Sequence, residues 1–183
     1  MLEQAGLKFI VVVPSLPEPD EVFPKLPPTQ QAEALAYFKA RATAEDYPDD
    51  YILGADTIVA HDGRVFGKAS DSDHARRMLG ELSGSRHQVV TGVALLGPEG
   101  ERLITSESTF VTMRKMTDQE LDDYIRSGEW ENKAGAYAIQ ETADRFVEKI
   151  EGSFSNVVGL PVELVIRMLH ELKTHPDRHR ADK

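Results

Sequence analysis

Apolar positions recur along the chain with two periods, and each marks a class of element. In DSDHARRMLGEL (71–82), Ala75, Met78, Leu79 and Leu82 fall at i, i+3, i+4 and i+7, the spacing of one helix face. TDQELDDYIRSG (117–128) predicts a second helix, opened by the capping box Thr117-x-x-Glu120 and closed by Gly128. TQQAEALAYFKARATAEDY (29–47) predicts another, capped by Thr29, with Leu35, Phe38 and Ala42 on one face and Pro48 past its end. The last helix opens at Pro161 and places Val165, Met168, Leu169 and Leu172 on one stripe. KFIVVV (8–13) predicts a short buried strand, and YILGADTIVA (51–60) a second one turned by Asp62-Gly63. RHQVVTGVALLG and ERLITSESTFVTMRKM predict two long strands joined at Gly97-Pro98-Glu99-Gly100, and residues 135–152 one or two more. The prolines of 14–28 make that stretch a loop, and the polar tail 173–183 is expected to fray. No repeat or long linker interrupts residues 1–172, so the pattern predicts one α/β domain built on a mixed sheet.

Charge narrows the partners. The net charge is −10, and no basic face is apparent, which argues against a nucleic acid polymer as ligand. A small anion remains compatible, because one local pocket can oppose the global field. There is no cysteine, which removes disulfide and thiolate chemistry. No apolar run approaches the roughly 20 residues of a membrane span, and MLEQAGLKFI does not read as a signal peptide, so the expected location is the cytoplasm.

One acid stands where the chain otherwise reads as core. Asp56 lies between Ile52, Leu53, Ile58, Val59 and Ala60, and a buried carboxylate needs a partner, a hydrogen bond or a metal. Gly54, Ala55 and Thr57 leave room for a ligand, and Lys68 follows the Asp62-Gly63 turn on the returning segment. A carboxylate and an ammonium converging on one cleft suit phosphate chemistry, the acid holding a divalent metal or taking a proton from water. Glu18-Pro19-Asp20-Glu21 reads either as a solvated acidic loop or as further metal-binding carboxylate. Lys133 enters a turn of small residues, and Gln140 ends the following apolar stretch, facing water or reading a nucleobase edge with its amide. Gly152-Ser153-Phe154-Ser155-Asn156 is a polar loop running into a helix start, which offers backbone amides to an anion or only caps the helix. His87 has no partner near in sequence and reads as structural, and Trp130 reads as core.

GADTIV, GK, ML-x-x-LSG-x-x-H-x-V-x-TGV, KAGAYAIQ and GSFSNVVGLP occur in this order, and together they resemble the Maf family of nucleotide pyrophosphatases. The resemblance runs from about residue 2 to residue 172. It implies an elongated α/β fold akin to inosine triphosphate pyrophosphatases, with a cleft between two lobes. It also implies hydrolysis of a nucleoside triphosphate to monophosphate and pyrophosphate with Mg²⁺ or Mn²⁺. By this likeness Asp56 is the proton acceptor that activates water, and Lys39, Lys68 and Lys133 face the triphosphate. Thr57 and Gln140 match positions associated with choice of base, and AGAYAIQ looks like the subgroup acting on dTTP and UTP. The family's metal-binding Glu falls on Pro19 here, so Glu18 or Glu21 is expected to serve, together with Asp56. Ala69 stands where the family has proline, and Asn132 where it has aspartate.

Family members usually open with a strand and a loop of the form LAS-x-SPRR, then a helix ending LLEQAGLKF. Met1 stands inside that helix, so the chain is expected to be N-terminally shortened relative to the family. Two rival readings therefore stay open: a nucleotide-binding or cell-division regulatory protein with impaired catalysis, and a pyrophosphatase for other modified nucleotides. The family is often dimeric, which makes a homodimer an expectation.

Overall fold

Asp62 and Gly63 both adopt left-handed backbone, with φ of 46° and 73°. Such a pair makes the two-residue turn whose twist matches that of antiparallel strands. It folds β1 (Ile52–His61) back onto β2 (Arg64–Phe66), with His61 opposite Arg64. A second hairpin joins β3 (Arg86–Leu96) to β4 (Arg102–Met113), closed by a 2.8 Å bond from the Gly97 N–H to the Glu101 carbonyl. β5 (Val147–Glu151) pairs antiparallel with the end of β4, and the sheet order is β2-β1-β3-β4-β5. This computed structural model describes residues 1–14, 26–140 and 142–180.

Among the described residues five α-helices accompany the sheet: α1 (Pro28–Ala44), α2 (Ser72–Leu82), α3 (Asp118–Ser127), α4 (Phe154–Val158) and α5 (Val162–Thr174). α2 buries Ala75, Met78, Leu79 and Leu82 as its spacing predicts, and Asp71 caps it by accepting the His74 N–H at 2.7 Å. α3 carries the full Thr117–Glu120 capping box and ends on left-handed Gly128. The α/β class holds, while the described strands pair antiparallel where a mixed sheet was expected.

The chain condenses into two compact units, one of Met1–Asp56, Thr91–Glu107 and Gly159–Lys183, the other of Thr57–Val90 and Ser108–Val158. The first has an apolar cluster of Val93, Leu95, Val165, Met168 and Leu172, and a second one of Ala36, Ala40, Ala94 and Leu96. The second unit is built around α2, α3 and the strand ends, with Leu79, Leu82, Tyr124 and Phe146 all but inaccessible.

Local expectations are corrected in four stretches of the chain. Residues 8–13 form no strand; Phe9, Ile10, Val11 and Val13 are exposed, Val11 by 82%. A β-branched run becomes a strand only when a neighbour pairs its backbone, and none among the described residues does. α1 starts on Pro27 and Pro28 without a side-chain cap, so Thr29 is not its cap. Its buried face is Gln31, Ala32, Ala36, Ala40 and Thr43, whereas Leu35, Phe38 and Ala42 are only half-buried. Residues 135–152 hold one of the one or two strands expected, β5, with Thr142–Phe146 a 3₁₀ helix; the strand that Gln140 was expected to end is not formed by 135–140. The tail does not fray at once: Arg180 bridges to Glu101, and the Arg102 N–H reaches the His179 carbonyl at 2.9 Å.

Candidate active site

α1 lies unusually close to the sheet because two glycines admit it. A Cβ on Gly54 would stand 2.3 Å from the Ala36 carbonyl oxygen, and one on Gly92 would stand 2.1 Å from that of Ala32. Side chains alternate along a strand, so Gly54 and Asp56 point to the same face of β1. Lys39, which lies between Ala36 and Ala40 on α1, meets Asp56 there: its Nζ donates to Oδ1 at 2.6 Å. The two side chains are 21% and 11% exposed. A charge-assisted bond this short compensates a carboxylate drawn largely out of water and fixes its direction. A carboxylate so held can accept a proton from a water molecule, and the ammonium beside it can face phosphate.

In the second unit the other two lysines are brought together by backbone. Lys68, exposed on the segment after β2, forms an isolated antiparallel bridge with Ala134, and the Gly135 N–H bonds the Gly67 carbonyl at 3.0 Å. Lys133 therefore enters its turn directly beside the Lys68 segment. Asn132 has φ of 60°, a left-handed conformation that asparagine tolerates well. Thr57 is half-buried on β1, and Gln140 is exposed in a turn rather than on a strand.

The cavity of about 660 Å³ in the first unit is lined by Phe9–Val12, Ile52, Leu53 and Ala55 and includes neither Lys39 nor Asp56. Glu18 and Glu21 lie outside the described residues, and among the described residues no three His, Asp or Glu side chains are grouped to hold a metal. Mg²⁺ needs only one or two protein carboxylates when phosphates and water complete its shell. Asp56, whose Oδ1 accepts from Lys39 Nζ at 2.6 Å, is a carboxylate of the kind such an ion would take.

A profile of the Maf-like protein family matches residues 1–172. The chain belongs to that family. Among its relatives, a dTTP/UTP pyrophosphatase of Geobacillus sp. (strain WCH70) is 42% identical, over 94% of this chain and 91% of the relative. One of Koribacter versatilis is 49% identical over 78% of this chain and 73% of its own length. One of Pyrococcus furiosus is 42% identical over 90% and 87%.

This Maf-like protein also contains a polar pair that sequence reasoning missed. His87, 1% exposed, shares a 2.9 Å hydrogen bond with the Tyr137 hydroxyl, fifty residues away in sequence. Both rings are buried at an edge-to-face angle. Burial, with a smaller contribution from nearby His61, pushes the His87 imidazole down to about 4, and burial pushes the Tyr137 phenol up. Folded His87 is therefore neutral at pH 7, while in the unfolded chain it takes up a proton below its usual 6.5. Its contribution is complete above that value and is lost as pH falls toward 4. Between pH 7 and 4.5 this amounts to about 2–3 kcal/mol of unfolding free energy. Urea titrations at the two pH values should show the loss in the parent and a smaller one in His87→Gln. Equal losses would remove His87 as the cause.

Proposed function

We propose that this protein hydrolyses dTTP and UTP to the monophosphate and pyrophosphate. The observation that carries the reading is the Lys39–Asp56 pair, a carboxylate on an apolar strand held at 2.6 Å by a helix lysine. The names of the relatives supply the reaction and the substrates.

In this reading Asp56 takes the proton of a water whose oxygen attacks the α-phosphorus. The α–β anhydride bond breaks, and pyrophosphate leaves with the bonding electrons. Lys39 orients Asp56, and Lys68, bridged to Ala134, and the adjacent Lys133 neutralise phosphate oxygens. Thr57 and Gln140 meet the base, the Gln140 amide pairing with the donor and acceptor edge of a pyrimidine. Bound Mg²⁺ or Mn²⁺ would draw charge off the phosphates, with Asp56 and Glu18 or Glu21 as its protein ligands. The compartment this reading requires is the one that holds nucleoside triphosphates, the cytoplasm. No helix among the described residues is long and apolar enough to cross a membrane.

The test is product analysis of the purified chain with dTTP, UTP, ATP and GTP in Mg²⁺ or Mn²⁺. Pyrophosphate and monophosphate in equal amounts from the two pyrimidine nucleotides are expected. Orthophosphate as the released product would place the cut at the wrong bond, and equal turnover of purines would remove the base assignment.

A further inference from the structure

The turn that carries Lys133 does not hold its shape by local preference. Asn132, Gly135 and Ala136 all have left-handed backbone, with φ of 60°, 67° and 60°. Two of these are L residues with side chains, for which that region is disfavoured, and alanine has no polar group to offset it. Such backbone persists only where its surroundings impose it. Here they do so from several sides. The Gly135 N–H is bound by the Gly67 carbonyl, and the Ala138 N–H by the Tyr124 hydroxyl at 3.1 Å. Gly135 itself is pressed against Val59 and Leu82, where a Cβ would come within 2.9 Å and 3.2 Å.

The remaining anchor is a chain of side-chain bonds whose proton directions can be assigned. Ser85 donates its hydroxyl proton to the Leu82 carbonyl at 2.7 Å, so at His87 Nδ1, 3.3 Å away, it must accept. His87 then carries its proton on Nδ1 and presents a lone pair at Nε2. The Tyr137 hydroxyl donates to that lone pair at 2.9 Å. The far end of the chain is rigid: the Ser85 carbonyl accepts the Met113 N–H, and the Gly84 N–H reaches the Arg114 carbonyl, both on or beside β4. Tyr137 lies four residues after Lys133 and is 7% exposed.

We propose that Tyr137, acting through His87 and Ser85, is a positioning residue that holds the strained turn in the one shape that aims Lys133 at the substrate phosphates. The proposal rests on the hydrolase reading above. Removing the phenolic hydroxyl leaves a buried imidazole nitrogen without its donor and frees the turn to relax toward ordinary backbone. Lys133 then loses its aim, although its own side chain is untouched. A lysine that neutralises phosphate acts on bound substrate and transition state alike, so the loss falls on KM more than on kcat.

The experiment is steady-state dTTP hydrolysis by the parent, Tyr137→Phe, His87→Gln, Lys133→Ala and the Tyr137→Phe/Lys133→Ala double variant. Tyr137→Phe should raise KM about tenfold with kcat within about threefold. His87→Gln keeps an acceptor for the hydroxyl and should stay within about threefold of the parent KM. In the Lys133→Ala background, adding Tyr137→Phe should change KM less than about twofold, because the lysine it positions is gone. An unchanged KM in Tyr137→Phe, or the same rise with and without Lys133, overturns the proposal. If Tyr137→Phe does not fold, His87→Leu compared with His87→Gln puts the same question, since only leucine lacks the acceptor. A parent that releases no pyrophosphate while folded overturns the hydrolase reading and this inference with it, an outcome distinct from either of the others.

Discussion

Asp56→Asn should lower kcat/KM for dTTP by about a thousandfold while leaving the fold standing. The amide keeps an oxygen where Lys39 Nζ now donates at 2.6 Å, so the link between α1 and β1 survives. What disappears is the capacity to accept a proton, and positioned general bases contribute roughly 10²–10⁴-fold. A thousandfold loss corresponds to about 4 kcal/mol of transition-state stabilisation. Asp56→Ala is the harsher change, because it removes the oxygen that Lys39 Nζ bonds at 2.6 Å from a lysine only 21% exposed. Comparing the two variants separates chemistry from integrity. Asp56→Asn with a melting point near the parent's and pyrophosphate release about a thousandfold slower is the expected pattern; activity within threefold of the parent would dismiss Asp56 as the base.

Gly92→Ala should be the most damaging single methyl in the first unit. The added carbon would lie 2.1 Å from the backbone carbon and oxygen of Ala32 and 2.4 Å from the Glu33 nitrogen. Those are helix backbone atoms and cannot swing aside, so α1 must lift off β3 as a body. Overpacking a well-packed interior costs about 1–3 kcal/mol and occasionally more, and rigid backbone puts this case at the upper end. For a chain of this size that corresponds to a fall in melting temperature of about 6–12 °C. Activity should fall as well, since α1 brings Lys39 to Asp56. Gly80→Ala is the control: it lies within α2, meets nothing within 4 Å, and should stabilise by about 0.5–1 kcal/mol through helix propensity. Scanning calorimetry of the two variants decides the matter, and a Gly92→Ala midpoint within 2 °C of the parent would show that α1 is not seated by that glycine.

Elements whose signals are local were legible. The buried face of α2, the capping box of α3 and the Asp62-Gly63 turn depend on residues within eight positions of one another, and all appear as read. Elements that depend on a distant partner were not. The face of α1 was read from its bulkiest side chains, but glycines on β1 and β3 select the alanine stripe instead. KFIVVV has strand-like residues, and strand formation depends on a neighbour's backbone, which no local pattern reports. The stretch after Lys133 looked like a strand by its apolar residues. Its left-handed turn is imposed by Gly67, Tyr124 and His87.

The site divides along the same line. The chain alone determines which chemistry is on offer: an acid within an apolar run, lysines in small-residue settings, and an ordered set of motifs that places the protein among Maf-like proteins. It also determines the helices and hairpins whose patterns are short-range. Only the tertiary structure decided that Lys39, seventeen residues from Asp56, is the lysine that holds it, and that the Lys68 segment bridges to Ala134, next to Lys133. Only it gave His87 a partner. The reason is physical: periodicity and capping act over a few residues, whereas pairing buried polar groups requires the core to bring distant segments within hydrogen-bond reach.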